Sequence, residues 1–243
     1  MNKRGSHVGI ILSFVIFITF LVFLYSVIEP ITKIEKEKQS ILDYLEVELL
    51  ERFSADLTTT TILVNGDITE NCITIKEISN ETISNGNLIV KDDSENILIH
   101  KFQTADLQID STGNFFKIYH SEEFKPAESA ISDACQKIYK EGINPADPAN
   151  YSIGLTRTKE YLFESKINET INKHKNSYEE LKKELNVLAG TEFGFSFFDR
   201  NRNIIFEIEQ KNITANVYVK EVPVQYIDEK ANIIPGFINI RVW

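Results

Sequence analysis

Residues 8–28 read VGIILSFVIFITFLVFLYSVI, and this apolar run decides the architecture of the amino-terminal part of the chain. Five residues interrupt it, namely Gly9, Ser13, Thr19, Tyr25 and Ser26. At a rise of about 1.5 Å per residue, a helix of this length spans a hydrocarbon core of roughly 30 Å. The run therefore predicts a transmembrane helix over 8–28. A buried core helix of a soluble protein is the alternative.

The residues that flank this run predict its orientation. Lys3 and Arg4 precede it and Glu29 follows it, and basic flanks are retained in the cytoplasm. A cleavable secretory signal has a shorter apolar region and a small-x-small site, which the sequence LYSVIEP lacks. We therefore expect a retained single-pass helix, a cytoplasmic leader over 1–7 and an extracellular portion over 29–243.

The charge of the extracellular portion limits its partners. The whole chain carries a net charge of −10, and leaving out the two leader cations Lys3 and Arg4 gives −12. Nucleic acid and anionic lipid surfaces both attract clusters of Lys and Arg and repel such a field. We therefore expect no nucleic-acid partner, and membrane lipid is expected to contact the apolar helix alone.

The chain shows no catalytic or metal-binding pattern. The nucleophile-elbow, P-loop and dinucleotide-binding motifs are absent, and the four histidines lack the spacing of metal ligands. The turns KDDSEN and NPADPAN lack the spacing of a calcium loop, so solvated loops are favoured over loose calcium sites. We predict no enzyme activity, no cofactor and no metal.

Two cysteines, Cys72 and Cys135, make up the whole cysteine content. In an oxidising space outside the cell, one disulfide between them is the natural interpretation. Two separate buried thiols that act as small apolar groups are the alternative.

An amphipathic stalk helix is predicted over 29–54. Its apolar residues recur at roughly helical spacing and are Ile34, Ile41, Leu45, Leu49 and Phe53. Pro30 either kinks one long helix or begins a second one at its first position.

An antiparallel β-rich unit is predicted over 55–140, because the apolar period changes to two near Thr58. The predicted strands are TTTTILVNG, CITIKEI, NLIV, ILIHKF, LQID and FFKIYH. The turn-forming pairs between them are Asn65-Gly66, Asn85-Gly86, Asp92-Asp93 and Gly113-Asn114. The segment PAESAISDACQKIY predicts a short helix with Cys135 on its apolar face, and 141–157 is a predicted linker.

A second unit is predicted over 158–243. Its apolar stripe has spacings of three and four and comprises Phe163, Ile167, Ile171, His174, Tyr178, Leu181, Leu185 and Leu188. The stripe predicts one helix from Thr158 to Ala189, closed by Gly190, which packs on its own sheet or forms a coiled-coil seam. His174 is either a packed histidine or a proton switch. A four-strand antiparallel meander follows, and whether the two units form one domain stays open.

The resulting fold class is α+β, with a transmembrane helix that continues into the stalk and then two helix-plus-sheet units. The sequence KRG before an apolar helix and an amphipathic stalk resembles a type IV pilin, and is most similar to archaeal forms with a class III signal. The resemblance implies cleavage after Gly5 by a prepilin peptidase, which leaves Ser6 as the new amino terminus. Major bacterial pilins carry a glutamate where this chain has Ile10. An uncleaved signal anchor is the alternative.

Two functions are compatible with these features. The first is a structural or assembly protein, a minor or tip-type pilin-like subunit that contacts other subunits through its apolar helix. The second is a single-pass tethered binding module that presents its sheets to a cell-surface ligand. Four sequons support export, at Asn80, Asn150, Asn168 and Asn212, and Asn150 in the predicted linker is the favoured glycosylation site.

Overall fold

A computed structural model describes residues 5–78, 87–126, 134–143, 149–208 and 216–243. The fold is mixed α+β, as predicted. The elements in chain order are α1 Gly5–Phe53, β1 Ser54–Gly66, β2 Ile73–Ile75, β3 Leu88–Lys91, β4 His100–Gln103, β5 Asp106–Ile109, β6 Phe115–His120, β7 Gln136–Lys140, β8 Ala149–Phe163, α2 Glu164–Asn176, α3 Tyr178–Glu184, β9 Phe193–Asp199, β10 Ile204–Glu207, β11 Tyr218–Ile227 and β12 Ile233–Val242.

Helix α1 is continuous over 49 residues, about 74 Å at the usual rise. It passes through Pro30, so no second helix begins there. Near its end, Leu42, Leu45, Leu49 and Phe53 are at most 1% exposed, at the spacing that places side chains on one helix face. This face packs against α2, α3 and the sheet that contains β9 and β12.

Ion pairs fix the same end of α1 to the head. The Lys220 ammonium on β11 lies 2.5 Å from both the Asp43 and the Glu46 carboxylates, and Arg52 lies 3.0 Å from Glu184 at the end of α3. Surface pairs of this kind contribute little stability individually. The buried apolar face of α1 therefore holds the helix on the head, and the pairs help to fix its rotation.

Strand β8 joins the two predicted units in one hydrogen-bonded network. It pairs with β1 along most of its length, with β7 at Asn150 and Tyr151, and with β11 at Leu162 and Phe163. The predicted linker is therefore wrong for residues 149–157, which belong to β8. Residues 144–148 of that linker lie outside the described residues.

The prediction of purely antiparallel sheets is wrong. Strand β7 runs parallel to β2 and to β8, and β8 runs parallel to β11. The last four strands form an antiparallel sheet, but their order is β10-β9-β12-β11 and not a meander. A two-residue period indicates which faces are buried, and it carries no information about which strand becomes the neighbour.

The predicted helix from Thr158 to Ala189 is wrong at both ends. Residues 158–163 belong to β8, and non-helical dihedral angles at Ser177 (φ −146°, ψ 49°) separate α2 from α3. Leu188 is 65% exposed. The stripe has helical spacing across the break because α2 and α3 pack on the same core, whereas pairing with β1 extends residues 158–163.

The predicted short helix near Cys135 is wrong for residues 136–139, which belong to β7. In this strand Ile138 is buried and pairs with Ile75. Residues 127–133 of the predicted helix lie outside the described residues.

The buried apolar side chains form two main cores, which we call the helix-backed core and the sheet core. The helix-backed core comprises buried residues of α1, α2, α3, β9 and β12, with contributions from their neighbours. The sheet core comprises buried residues of β1–β3 and β5–β8, together with Ile78.

Candidate functional site: apolar helix and cleft

The first candidate site is the apolar half of α1. Over Gly9–Glu29 its mean hydropathy is 2.8 and none of it is buried within the protein. Ile10, Phe14 and Phe23 are each 63% exposed. Exposed apolar surface on this scale marks contact with a membrane or with another protein. The segment covers roughly 32 Å at the usual helical rise, so it is long enough to span a membrane.

Polar side chains inside this segment are satisfied within the helix. The Thr19 hydroxyl donates to the carbonyl oxygens of Val15 and Ile16 at 3.0 and 2.9 Å, and the Ser26 hydroxyl donates to Val22 O at 2.9 Å. In hydrocarbon an unsatisfied hydroxyl is costly. These contacts allow both residues to lie in a membrane or in a packed helix bundle.

The predicted processing and topology residues surround the start of α1. Gly5 and Ser6 are its first two residues, while Lys3 and Arg4 lie outside the described residues. Cleavage after Gly5 and the cytoplasmic location of the leader therefore stay predictions.

The predicted disulfide between Cys72 and Cys135 is confirmed, with a Cα–Cα distance of 4.8 Å. It lies where β2 and β7 begin, and Gln136 N donates to Cys72 O at 3.0 Å. The Gln136 side chain accepts a hydrogen bond from Thr69 N at 2.7 Å. The disulfide thus ties together segments 63 residues apart in sequence at the edge of the sheet core.

The sequons lie in different environments. Asn150 lies in β8 between β1 and β7, and its Oδ1 is buried without a hydrogen-bond partner among the described residues. The idea that Asn150 lies in a linker is therefore wrong. Asn168 lies in α2, and Asn80 and Asn212 lie outside the described residues. Glycosylation at all four stays a prediction.

The second candidate site is a cleft of about 570 Å³ between β8 and the β11–β12 hairpin. It opens because β8 and β11 pair only at two positions, Leu162 with Tyr226 and Phe163 with Ile227. Its apolar lining includes Tyr161, Pro223, Pro235 and Phe237, and its polar lining includes Glu160, Arg200 and Gln225. Aromatic surface with a few polar groups is typical of ligand sites. This cleft is not evident from the sequence, because its two walls, β8 and the β11–β12 hairpin, lie about 60 residues apart along the chain.

A repeated turn also escaped the sequence analysis. The spacing Asp-x-x-x-Asn occurs five times in the sequence, and three of these segments form the same hydrogen-bonded turn, namely DDSEN at 92–96, DRNRN at 199–203 and DEKAN at 228–232. In each turn Oδ1 of the Asp accepts hydrogen bonds from the backbone N–H groups two and four residues later, at 2.8 to 2.9 Å. The Asn side chain donates to the other carboxylate oxygen at 2.7 to 3.0 Å.

In the acid-rich turn KDDSEN, these hydrogen bonds occupy the carboxylate oxygens of Asp92. The Asp92 carboxylate is engaged by its own turn, and hydrogen bonds from Asn96 hold the pKa of Asp92 below its usual range. Among the described residues, no group of three His, Cys, Asp or Glu side chains is placed to hold a metal.

His174 lies among aromatic rings rather than in a site that binds a ligand. Its ring centroid is 4.5 Å from that of Tyr178 and 5.6 Å from that of Phe193, and Nε2 lies 3.3 Å from Phe193 O. Burial lowers the pKa of His174. The packed-histidine interpretation therefore fits its surroundings.

Comparisons of this chain with protein-family models, with curated proteins and with solved structures found no match. The apolar helix and the cleft are therefore the two features from which a function can be inferred.

Proposed function

We propose that this chain is a membrane-anchored extracytoplasmic assembly protein, a pilin-like subunit of the minor or tip type. The observation that carries the proposal is helix α1, which is exposed and apolar over Gly9–Glu29 and buried in the helix-backed core from Leu42 onward. A single helix with these two halves couples a head firmly to a membrane span or to a bundle of equivalent helices. Pro30 lies between the halves.

The remaining features agree with this function. The disulfide Cys72–Cys135 suits an oxidising compartment outside the cytoplasm, and the acidic extracellular portion suits solubility there. Lys3 and Arg4 would keep the leader inside. Cleavage after Gly5 would leave the apolar helix in place, so that it can move from the membrane into an assembly of subunits.

The test is the amino-terminal sequence of the protein isolated from native membranes that contain a prepilin peptidase. We expect the mature chain to begin at Ser6, and we expect Gly5→Leu to retain the leader because the added side chain blocks the cut. Gly9→Leu is the matched control, since a side chain at Gly9 meets no atom within 4 Å, and this variant should still be cleaved. A leader that remains on the unmodified protein contradicts the pilin-like function.

The cleft favours a second candidate function, a tethered binding module for an extracellular ligand. Its aromatic wall of Tyr161 and Phe237 with Arg200 nearby provides both stacking surface and a hydrogen-bond donor. Screening of the purified protein against glycan and peptide arrays tests this candidate. Binding should fall with Phe237→Ala and be unchanged by Leu155→Ala, because Leu155 is 73% exposed and does not line the cleft. Equal binding by both variants contradicts this function.

A further inference from the structure

Lys91, at the end of β3, is a lysine almost wholly removed from solvent. Only 1% of its surface is exposed, although buried lysines are rare unless paired. Its Nζ donates hydrogen bonds to Ala231 O at 3.0 Å and to the side-chain carbonyl oxygen of Asn232 at 2.9 Å. Both acceptors belong to the turn between β11 and β12. Lys91 therefore connects the two halves of the chain across 140 residues of sequence.

The Asn232 turn is one of the three Asp-x-x-x-Asn turns, and the other two provide a comparison. Asn96, Asn203 and Asn232 all donate to the Asp of their own turn. In the part of the chain that the structure describes, Asn232 alone among them also accepts a hydrogen bond from a lysine side chain. The lysine contact is therefore an addition to the turn and not a requirement of it.

Two carboxylates lie beside this lysine and asparagine. Glu95 Oε2 is 3.9 Å from Lys91 Nζ, and Asp228 Oδ2 accepts a hydrogen bond from Asn232 Nδ2 at 2.8 Å. Glu95 is itself held by Lys117 and by the Tyr119 hydroxyl. One carboxylate thus faces the amine, and the other faces the amide nitrogen of Asn232.

Burial makes the Lys91 amine easier to deprotonate than the amine of an exposed lysine. Burial lowers the pKa of Lys91, and Lys117 acts in the same direction while Glu95 and Asp228 oppose it. The Tyr119 ring, whose centroid lies 5.1 Å from Lys91 Nζ, favours the charged form instead. A neutral lysine amine is a nucleophile, whereas an ammonium is not.

We propose that Lys91 and Asn232 form an intramolecular isopeptide bond, an amide that joins Lys91 Nζ to Asn232 Cγ and releases ammonia. Since Nζ is 2.9 Å from Oδ1 and a C=O bond is about 1.23 Å long, the two reacting atoms are at most roughly 4.1 Å apart. This is close to the separation of about 3 to 3.5 Å from which bound groups react.

The reaction balances without an oxidant or another reactant. The lone pair of Lys91 Nζ attacks Asn232 Cγ, a new C–N bond forms, and Glu95 accepts a proton from the nitrogen. The Cγ–Nδ2 bond of Asn232 then breaks, and the departing nitrogen takes up one proton in exchange for the one that Glu95 accepted and leaves as ammonia. Lysine amine plus asparagine amide gives a secondary amide plus ammonia.

The bond would covalently link β3 to the β11–β12 hairpin, which the disulfide does not do. Cys72 and Cys135 tie β2 to β7 within the sheet core, whereas Lys91 and Asn232 connect the sheet core to the sheet that contains β11 and β12. This inference depends on neither of the proposed functions.

The test is mass spectrometry of the folded, full-length protein after reduction and denaturation. We expect an intact mass lower by one ammonia than the mass calculated for the sequence from its observed amino terminus, and a branched peptide in which the segment with Lys91 is attached to the segment with Asn232. Linear peptides that carry unmodified Lys91 and Asn232 in stoichiometric amounts would overturn the proposal.

Three variants separate this bond from other losses of ammonia. Lys91→Met keeps an unbranched apolar side chain but removes the amine, so the mass deficit should disappear. Asn203→Ala, the matched control, removes the equivalent hydrogen bond from the equivalent turn and should keep the deficit. Glu95→Gln should leave a large fraction unlinked. A deficit that persists in Lys91→Met would come from succinimide at a pair such as Asn65-Gly66, and would count against the bond.

Discussion

The sheet of strands β9–β12 packs one face against α1, α2 and α3, whereas no described helix contributes to the core enclosed by strands β1–β3 and β5–β8. The helix-backed core contains large aromatic side chains such as Phe53, Phe195 and Phe197, and the sheet core contains mostly Ile, Val and Leu. A sheet face must be buried by some other layer. The carboxyl-terminal half uses helices for this layer, and the other half uses its own strands together with a disulfide.

The two halves should therefore respond to different substitutions. The helix-backed core depends on side chains of α1, a helix that also carries the apolar segment, so loss of these contacts separates the head from its anchor. The sheet core depends on closure of a long chain loop, which the disulfide stabilises mainly through the unfolded state. Substitutions can therefore destabilise one half more than the other.

The largest expected effect is that of Phe53→Ala on the helix-backed core. Phe53 is fully buried, and its ring lies 5.5 Å from those of Phe195 and Phe197. We expect the free energy of unfolding to fall by about 4 to 5 kcal/mol, because a Phe→Ala cavity costs about 3 to 5 kcal/mol and two ring contacts are lost as well. Denaturant unfolding of the detergent-solubilised protein measures the change.

Val47→Ala is the control for this experiment. Val47 lies on the same helix but is 61% exposed, so its replacement should change the free energy of unfolding by less than about 0.5 kcal/mol. Equal effects of the two substitutions would mean that α1 does not hold the head.

A somewhat smaller effect is expected from Cys72→Ser combined with Cys135→Ser. The disulfide spans 63 residues, and the chain-entropy model gives about 4 kcal/mol as its full contribution. Hydrogen exchange should accelerate in β2 and β7 more than in β9 and β12, because the latter strands pack on helices. Thiol titration of the unfolded, unreduced parent protein should find no free cysteine. Two reactive thiols, or uniform acceleration in all strands, would contradict this comparison.

Local patterns predicted the buried faces well. The spacing of Leu45, Leu49 and Phe53 predicted the side of α1 that packs on the head, and the alternation of Phe193, Phe195 and Phe197 in the sequence matches the side of β9 that enters the helix-backed core. These signals were sufficient because burial repeats with the period of the element that carries it. The apolar run over 8–28 was recognised by its length and composition instead, because it is apolar on every side.

Features that depend on contacts between distant residues could not be predicted. Residues 149–163 have many polar side chains, and they form a strand because β1 pairs with them. The cleft requires β8 and β11 to diverge, and the contact of Lys91 with Asn232 requires two turns to meet. The spacing Asp-x-x-x-Asn is visible in the sequence, yet only the hydrogen bonds identify which three of its five occurrences form the turn.

The smallest expected effect is a dependence of stability on pH that comes from His174 in the helix-backed core. Burial lowers the pKa of His174 in the folded protein, whereas in the unfolded chain a histidine has a pKa of about 6.5. Below that value the unfolded state binds more protons than the folded state, so the stabilising contribution of the neutral ring is lost as the pH falls. Between about pH 6.5 and 4.5 most carboxylates are still ionised, and histidines dominate the change. The comparison is between the parent protein and His174→Phe. Burial also lowers the pKa of His120 and raises the pKa of Glu164. Both groups are present in both proteins, so their effects cancel in this comparison. The measurement is the denaturant midpoint of unfolding at pH 7.5 and at pH 5. Between these two pH values the midpoint should fall less in His174→Phe than in the parent. An equal fall in both proteins would show that His174 has the same pKa in the folded and the unfolded chain.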